Sequence, residues 1–253
     1  TVLLAAMLVA GSVTVLAEED NTEQETQEQE GDIQKQQSEI DAALQAELEN
    51  GYAPEDALIV VNPYGTAPLS AVAVFTTEEA CGGTVTVKGK SPENDVTGTF
   101  EADTDHIVPI YGLYSGQATE VVITLDDGTS STFSVETEGV NVDYGTIQTE
   151  MLDESAYDYS QLTFVCSTMG SVYAVDAAGE LRFFTDMGGT LGVHQLRNGH
   201  LCMPSSEVLH PTYYKTGLIE IDLTGKVYQE YEVPGGQHHD FVELPDGNLL
   251  VAS

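Results

Sequence analysis

One pattern occurs twice in this sequence, and its spacing restricts the fold more than any other feature. The phrases "SVYAVDAAGELRFF" and "GLIEIDLTGKVYQEY" each run as an alternating strand, an Asp, a Gly turn and a second strand. Asp176 and Asp222 stand 46 residues apart. The phrases that follow, "LRNGHLCM" and "LPDGNLLVA", carry Gly199 and Gly247, 48 residues apart. A four-strand unit returning at this period is the spacing of a β-propeller blade. Two and a bit such blades fit between residues 145 and 253, whereas propellers take roughly four to eight. The chain opens on Thr1 and stops at Ser253 in strand-like sequence. The expectation is therefore a fragment truncated at both ends, holding the first blades of a longer ring.

Upstream of the repeat the texture is also β. Short apolar segments divided by turns run from Leu58, among them "SAVAVFTT", "TVTVKGK", "TEVVITL" and "STFSVET". Asp127-Gly128 between two alternating runs is a hairpin signal. Several strands in about eighty residues, with no amphipathic helix, predict a small Ig-like β-sandwich over 57–140. The predicted fold class is all-β: a sandwich, then the first blades of a propeller over 145–253.

The first fifty residues read as address and spacer. Val2 to Ala17 is apolar and uncharged, ends on small or apolar residues at Val15 and Ala17, and gives way to "EEDNTEQE". This is the hydrophobic region of a secretory signal, so 1–17 is expected to direct export to a periplasmic, secreted or cell-surface location. A single-span anchor is the competing reading. The absence of a lipid-attachment Cys at the cleavage point argues against a lipoprotein. Residues 18–56 read as an acidic Gln/Glu-rich linker, its first half a disordered tether. In its second half Ile33, Ile40, Leu44 and Leu48 form one narrow apolar stripe on a helix, docked on the next domain or half-formed as a coil.

Charge and cysteines narrow the partners. Seven Lys plus Arg against 42 Asp plus Glu give a formal charge of −35. Such a chain repels nucleic acid and anionic lipid. Cys81, Cys166 and Cys202 lie far apart without metal-type spacing, which argues against a zinc site. An exported chain permits a disulfide, but three cysteines leave the pairing open. No Gly-rich phosphate loop precedes a helix, so no nucleotide cofactor site is visible.

Several separated phrases carry a more specific likeness. "IVVNPYGTAPLSAVAVF", "HIVPIYGLYSGQATEVVITLDDG" and "GLIEIDLTGKVYQEYEVPGGQHHDFVELPDGNLLVAS", in a sandwich-then-propeller order, resemble bacterial arylsulfate sulfotransferases over about residues 55–253. The resemblance implies a six-bladed propeller and an exported enzyme. It implies transfer of a sulfuryl group from a phenolic sulfate ester to an acceptor phenol, without a nucleotide donor. It further implies a transiently sulfated histidine, flanked by other histidines and an arginine near the propeller channel. A homodimer is the assembly kept open. A non-catalytic cell-surface binding propeller is the rival reading.

The candidate catalytic residues are His238 and His239. "HHDF" is read as the mouth of a strand whose far end is the Pro245-Asp246-Gly247 turn. Adjacent strand residues face opposite sides, so only one histidine can point into the channel. His239 is favoured by its place beside the family's Asp, and Asp240 is expected to serve a loop or turn hydrogen bond. The nucleophilic histidine and the arginine of the family are expected in later blades. His106, His194 and His210 read as structural, His200 as an exposed turn residue, and Tyr213 and Tyr214 as packing between blades. Arg182 and Arg197 read as strand or turn surface.

Overall fold

The computed structural model describes residues 22–140, 150, 161–166, 171–188, 192–206, 208–210 and 214–253, with side chains described from Ile33 and not at 208–210 or 214. The apolar segment Val2–Ala17, the entry to the repeat region at 145–149, and Tyr213 lie outside the described residues.

Among the described residues one α-helix, α1 (Thr22–Glu47), precedes the sheets and takes in most of the stretch read as linker, including residues from Thr22 onward that were expected as a disordered tether. Its Gln, Glu, Ala and Leu residues are good helix formers, and Gly51, in the left-handed conformation, closes the short 3₁₀ turn that follows it. The apolar stripe is docked: Ile40, Leu44 and Leu48 pack on Val72 and Val74. Ile33 reaches instead a cluster containing Val172, Phe183 and Ile221 in the repeat region. Gln37, 5% exposed, accepts the Val227 N–H at 2.9 Å and donates to the Gly225 carbonyl at 3.4 Å. The helix thus bridges sandwich and repeat.

The sandwich comprises β1 (Leu58–Val61), β2 (Ser70–Val87), β3 (Val96–Tyr111), β4 (Ala118–Leu125) and β5 (Ser130–Glu136). Two segments that read separately in sequence are joined in β2. Its first half pairs with β1 and the end of β3, and its second half with the start of β3 and with β4, all antiparallel. Register shifts between Thr76 and Gly83 separate the halves. At Gly83 a Cβ would lie 2.4 Å from the Thr124 carbonyl oxygen, so only glycine lets the strands approach there. Ala71, Ala73 and Phe75 face a core shared with Val87, Val121, Ile123 and Val135. The alternate residues Val72 and Val74 face α1, as a period of two requires. The predicted hairpin is present, with Gly128 at φ 90° and its N–H on the Leu125 carbonyl.

The repeat is equally regular. β6 (Thr163–Cys166), β7 (Val172–Val175) and β8 (Leu181–Thr185) form a three-stranded antiparallel sheet. The next unit has β9 (His194–Gln195), β10 (Leu201–Pro204), β11 (Val208–His210), β12 (Tyr214–Ile221) and β13 (Val227–Gln237). Both β10 and β11 lie along one side of β12, giving a four-strand order β9, β10, β12, β13. A further unit begins with β14 (Phe241–Glu243) and β15 (Leu249–Val251). Apart from α1 and short 3₁₀ turns, the described residues are all-β, with an Ig-like sandwich and a propeller-like series of antiparallel sheets.

Sandwich and repeat share a core. Tyr173, Val175, Leu181 and Phe184 belong to the same buried cluster as Phe75 and Ile123. Arg182, expected on a strand surface, is fully buried at this junction. Its guanidinium donates to the carbonyls of Gly112 at 2.6 Å and Asn94 at 2.9 Å, and to Asp176 at 3.1 Å. The surface expectation fails because docking of the sandwich covers a strand that would be open in a lone blade.

Candidate functional site

The histidine pair occupies the turn between β13 and β14, and the sequence before it explains how. Gly217 pairs with Glu232, yet Lys215 pairs with Gln237, so β13 carries extra residues against two on β12. Pro234-Gly235-Gly236 fills this bulge, both glycines at positive φ. A bulge of this kind re-aims the chain. It delivers Gln237 into a buried position and His238 to the end of the strand.

His238 to Asp240 then forms a three-residue turn. The Asp240 N–H donates to the His238 carbonyl at 3.2 Å, with His239 between them at φ 75°. This is the γ-turn of positive φ, a rare and strained conformation for a side-chain-bearing residue. Two further bonds tie it to the end of β15: His238 N–H to the Ala252 carbonyl, and Ala252 N–H to the Asp240 carbonyl.

The alternation argument for one inward histidine therefore does not apply, because neither residue is in a strand. The two rings come together instead. Their centroids are 3.7 Å apart, and Nδ1 of His239 lies 2.6 Å from Nδ1 of His238. For neutral rings, one Nδ1 carries a hydrogen and the other a lone pair. The ring with Nδ1–H then has a lone pair at Nε2, and its partner an Nε2–H. The two Nε2 atoms of a neutral pair are thus chemically opposite, one a lone pair and one an N–H.

Asp240 does more than the expected turn bond. Its Oδ1 accepts the Phe241 N–H at 2.8 Å and lies 3.1 Å from Nε2 of His194. The ring of His194 rests 4.5 Å from that of Phe241, which is buried. His194 and Phe241 begin β9 and β14, the first strands of successive units. The structure thus brings His194, read from the sequence as structural, to the turn.

His106, His200 and Arg197 are held in contacts away from the turn or on its far side, and the side chain of His210 lies outside the described residues. His106 is buried and stacked 4.5 Å from Phe75, and burial holds its imidazole below the ordinary value of 6.5. His200 was expected to be exposed but is half-buried, with Nδ1 2.7 Å from Glu220 and its ring 4.0 Å from that of Tyr228. Burial would raise the Glu220 carboxyl, but hydrogen bonds from Tyr231, His200 and Asn198 outweigh it and hold the group low. Arg197 is exposed and donates to the Pro245 carbonyl at 2.8 Å. A cleft of about 340 Å³ between α1, β3 and the Asp222 turn is lined by Asp41, Tyr64, Lys226 and Tyr228 and contains no histidine. No disulfide links the three cysteines, and among the described residues no cluster of His, Cys, Asp and Glu has metal-site proximity.

Comparison with known families supplies the decisive observation. Residues 58–142 match the arylsulfotransferase Ig-like domain, and residues 148–253 match the arylsulfotransferase (ASST) domain. The chain belongs to the arylsulfotransferase family. The first match takes in β1 to β5, and the second takes in β6 to β15 with the histidine turn. The helix α1 precedes both matches. Membership in the arylsulfotransferase family implies sulfotransferase function and phenolic substrates in general. A comparison with curated proteins finds no match.

Two residues beside the turn escaped sequence reasoning. Lys215 and Gln237 are buried opposite each other in the β12–β13 ladder. The only signal for them was the Pro-Gly-Gly bulge, which marks where a strand is diverted but not what it meets.

Proposed function

We propose that the protein is an exported arylsulfate sulfotransferase that works by two half-reactions through a sulfated histidine. In the first, a histidine nitrogen attacks the sulfur of a phenolic sulfate ester, an N–S bond forms, and the ester S–O bond breaks to release the phenolate. In the second, an acceptor phenol loses its proton and attacks the same sulfur, and the N–S bond breaks. No nucleotide donor takes part. Sulfuryl transfer resembles phosphoryl transfer, in which positioning and charge stabilisation dominate.

The observation that carries this reading is the His238–His239 ring pair at a strained turn within the arylsulfotransferase match. His239 is the residue assigned to the sulfuryl group. A donor at Nε2 of one ring stabilises the non-bridging oxygens as the S–O bond breaks. The lone pair at Nε2 of the other takes a proton or accepts one in a hydrogen bond. The nucleophilic histidine and its arginine are assigned to later blades of a longer ring, and the apolar segment Val2–Ala17 to export.

Mixing a protein carrying the complete ring with excess 4-nitrophenyl sulfate, without acceptor, tests the reading. The expected result is a burst of one 4-nitrophenolate per site, followed by steady release when phenol is added. Release that requires the acceptor from the first turnover would overturn the two-step scheme. No transfer at all would favour the non-catalytic binding alternative.

A further inference from the structure

Lys215 and Gln237 are directly paired across the β12–β13 ladder, so their side chains leave the same face of the sheet. Both are buried, Lys215 at 8% and Gln237 at 0% exposure. A buried ammonium ordinarily has a carboxylate beside it. The sequence offers 42 acidic residues, yet Lys215 makes no ion pair among the described residues. Its Nζ donates to the Ser206 carbonyl at 2.9 Å, and an ammonium carries three donors. Gln237 has no hydrogen-bond partner for either its amide nitrogen or its amide oxygen among the described residues. Buried polar side chains without partners are few in folded proteins, and each marks a missing partner or a function. Arg182 shows the contrast, since its charge is met by Asp176 and by two carbonyls.

We propose that Lys215 and Gln237 form an anion subsite that receives the non-bridging oxygens of the sulfuryl group. The proposal rests on the sulfuryl-transfer reading of the turn, because Gln237 is the chain neighbour of His238. An ammonium and an amide NH₂ on one buried face match a tetrahedral oxyanion, whose several oxygens accept from both at once. An anion there satisfies the charge of Lys215 and the donors of Gln237 together.

Calorimetric titration of this chain with sodium sulfate, against sodium chloride at matched ionic strength, tests the subsite. Saturable sulfate binding is expected for the unaltered chain. Lys215→Met should weaken it at least tenfold, Gln237→Leu several-fold, and Lys215→Arg should retain most of it. If Lys215→Met does not fold, Gln237→Leu and Lys215→Arg still carry the test. Absence of sulfate binding by the unaltered chain, or equal binding by the Met and Leu variants, would overturn the subsite. Transfer assays of His239→Ala separate this from the parent reading. Sulfate binding that depends on Lys215, with transfer indifferent to His239, keeps the subsite and removes the catalytic assignment. Sulfate binding indifferent to Lys215, with transfer lost in His239→Ala, does the reverse.

Discussion

Nδ1 of His239 lies 2.6 Å from Nδ1 of His238, so the two rings share a single hydrogen between facing nitrogens. For neutral rings the tautomer of each is therefore set by the other, which makes the two Nε2 atoms complementary, one a lone pair and one an N–H. Loss of one ring removes a functional group and also releases the proton position of its neighbour.

Catalytic rate should follow that coupling. Under the proposed sulfuryl-transfer reading, His239→Ala is expected to lower kcat by about 10²–10³, the cost of one transition-state contact. His238→Ala should cost less, roughly tenfold, because it disturbs the tautomer of a ring that remains. Steady-state transfer from 4-nitrophenyl sulfate to phenol measures both. Wild-type turnover in both folded variants would make the pair structural.

Backbone strain at His239 predicts a stability change of opposite sign. At φ 75° a side chain is disfavoured, and glycine relieves about 1 kcal/mol there. His239→Gly should therefore raise the urea midpoint while abolishing the rate contribution. A lowered midpoint would show that ring contacts outweigh the strain.

His106 should make stability fall in mild acid. Burial depresses its folded pKa below 6.5, against opposing effects from Asp103 and Asp105. The unfolded chain takes up the proton first as pH drops, so the folded state loses stability from about 6.5 down to the depressed value. Above 6.5 both states are neutral and the contribution is complete. His106→Phe keeps the stack on Phe75 and should narrow the gap between urea midpoints at about pH 7.5 and about pH 5. An unchanged gap would place the acid sensitivity elsewhere.

Arg182 should be the strongest single link between sandwich and repeat. Its removal leaves the Asp176 carboxylate buried without its cation, a change that costs about 3–5 kcal/mol. Arg182→Met is expected to lower the denaturation midpoint strongly and to split one transition into two. A single transition within about 1 kcal/mol of the unaltered protein would show that the apolar interface suffices.

The repeat was legible because one hydrogen-bonding device is used twice. Asp176 Oδ1 accepts the N–H groups of Ala178 and Glu180, and Asp222 Oδ1 those of Thr224 and Lys226. That geometry demands the same residue at the same offset, which a sequence displays directly. The stripe of α1 was legible for a similar reason, its spacing being local. Arg182 was not, because its burial depends on a domain some seventy residues earlier in the chain. The histidine turn was half legible. Pro234-Gly235-Gly236 announced a diversion, but strand alternation was carried past it into a segment that obeys a different geometry. Lys215 meets Gln237 only through that diversion, and no period in the sequence encodes the meeting.

The contacts of Gln37 have a consequence for the order in which the molecule assembles. Its partners Gly225 and Val227 follow it by 188 and 190 residues. At ribosomal speed that separation is about 10–40 s of synthesis. During this interval α1 has only the sandwich to lean on, with Leu44 on Val72 and Val74, while Gln37 and Asp41 wait in water. The helix is thus laid down early as one wall of a seat that the Asp222 turn later fills. Such long-range closure is slow relative to local pairing, and the last event in assembling this junction is written into one of its first residues.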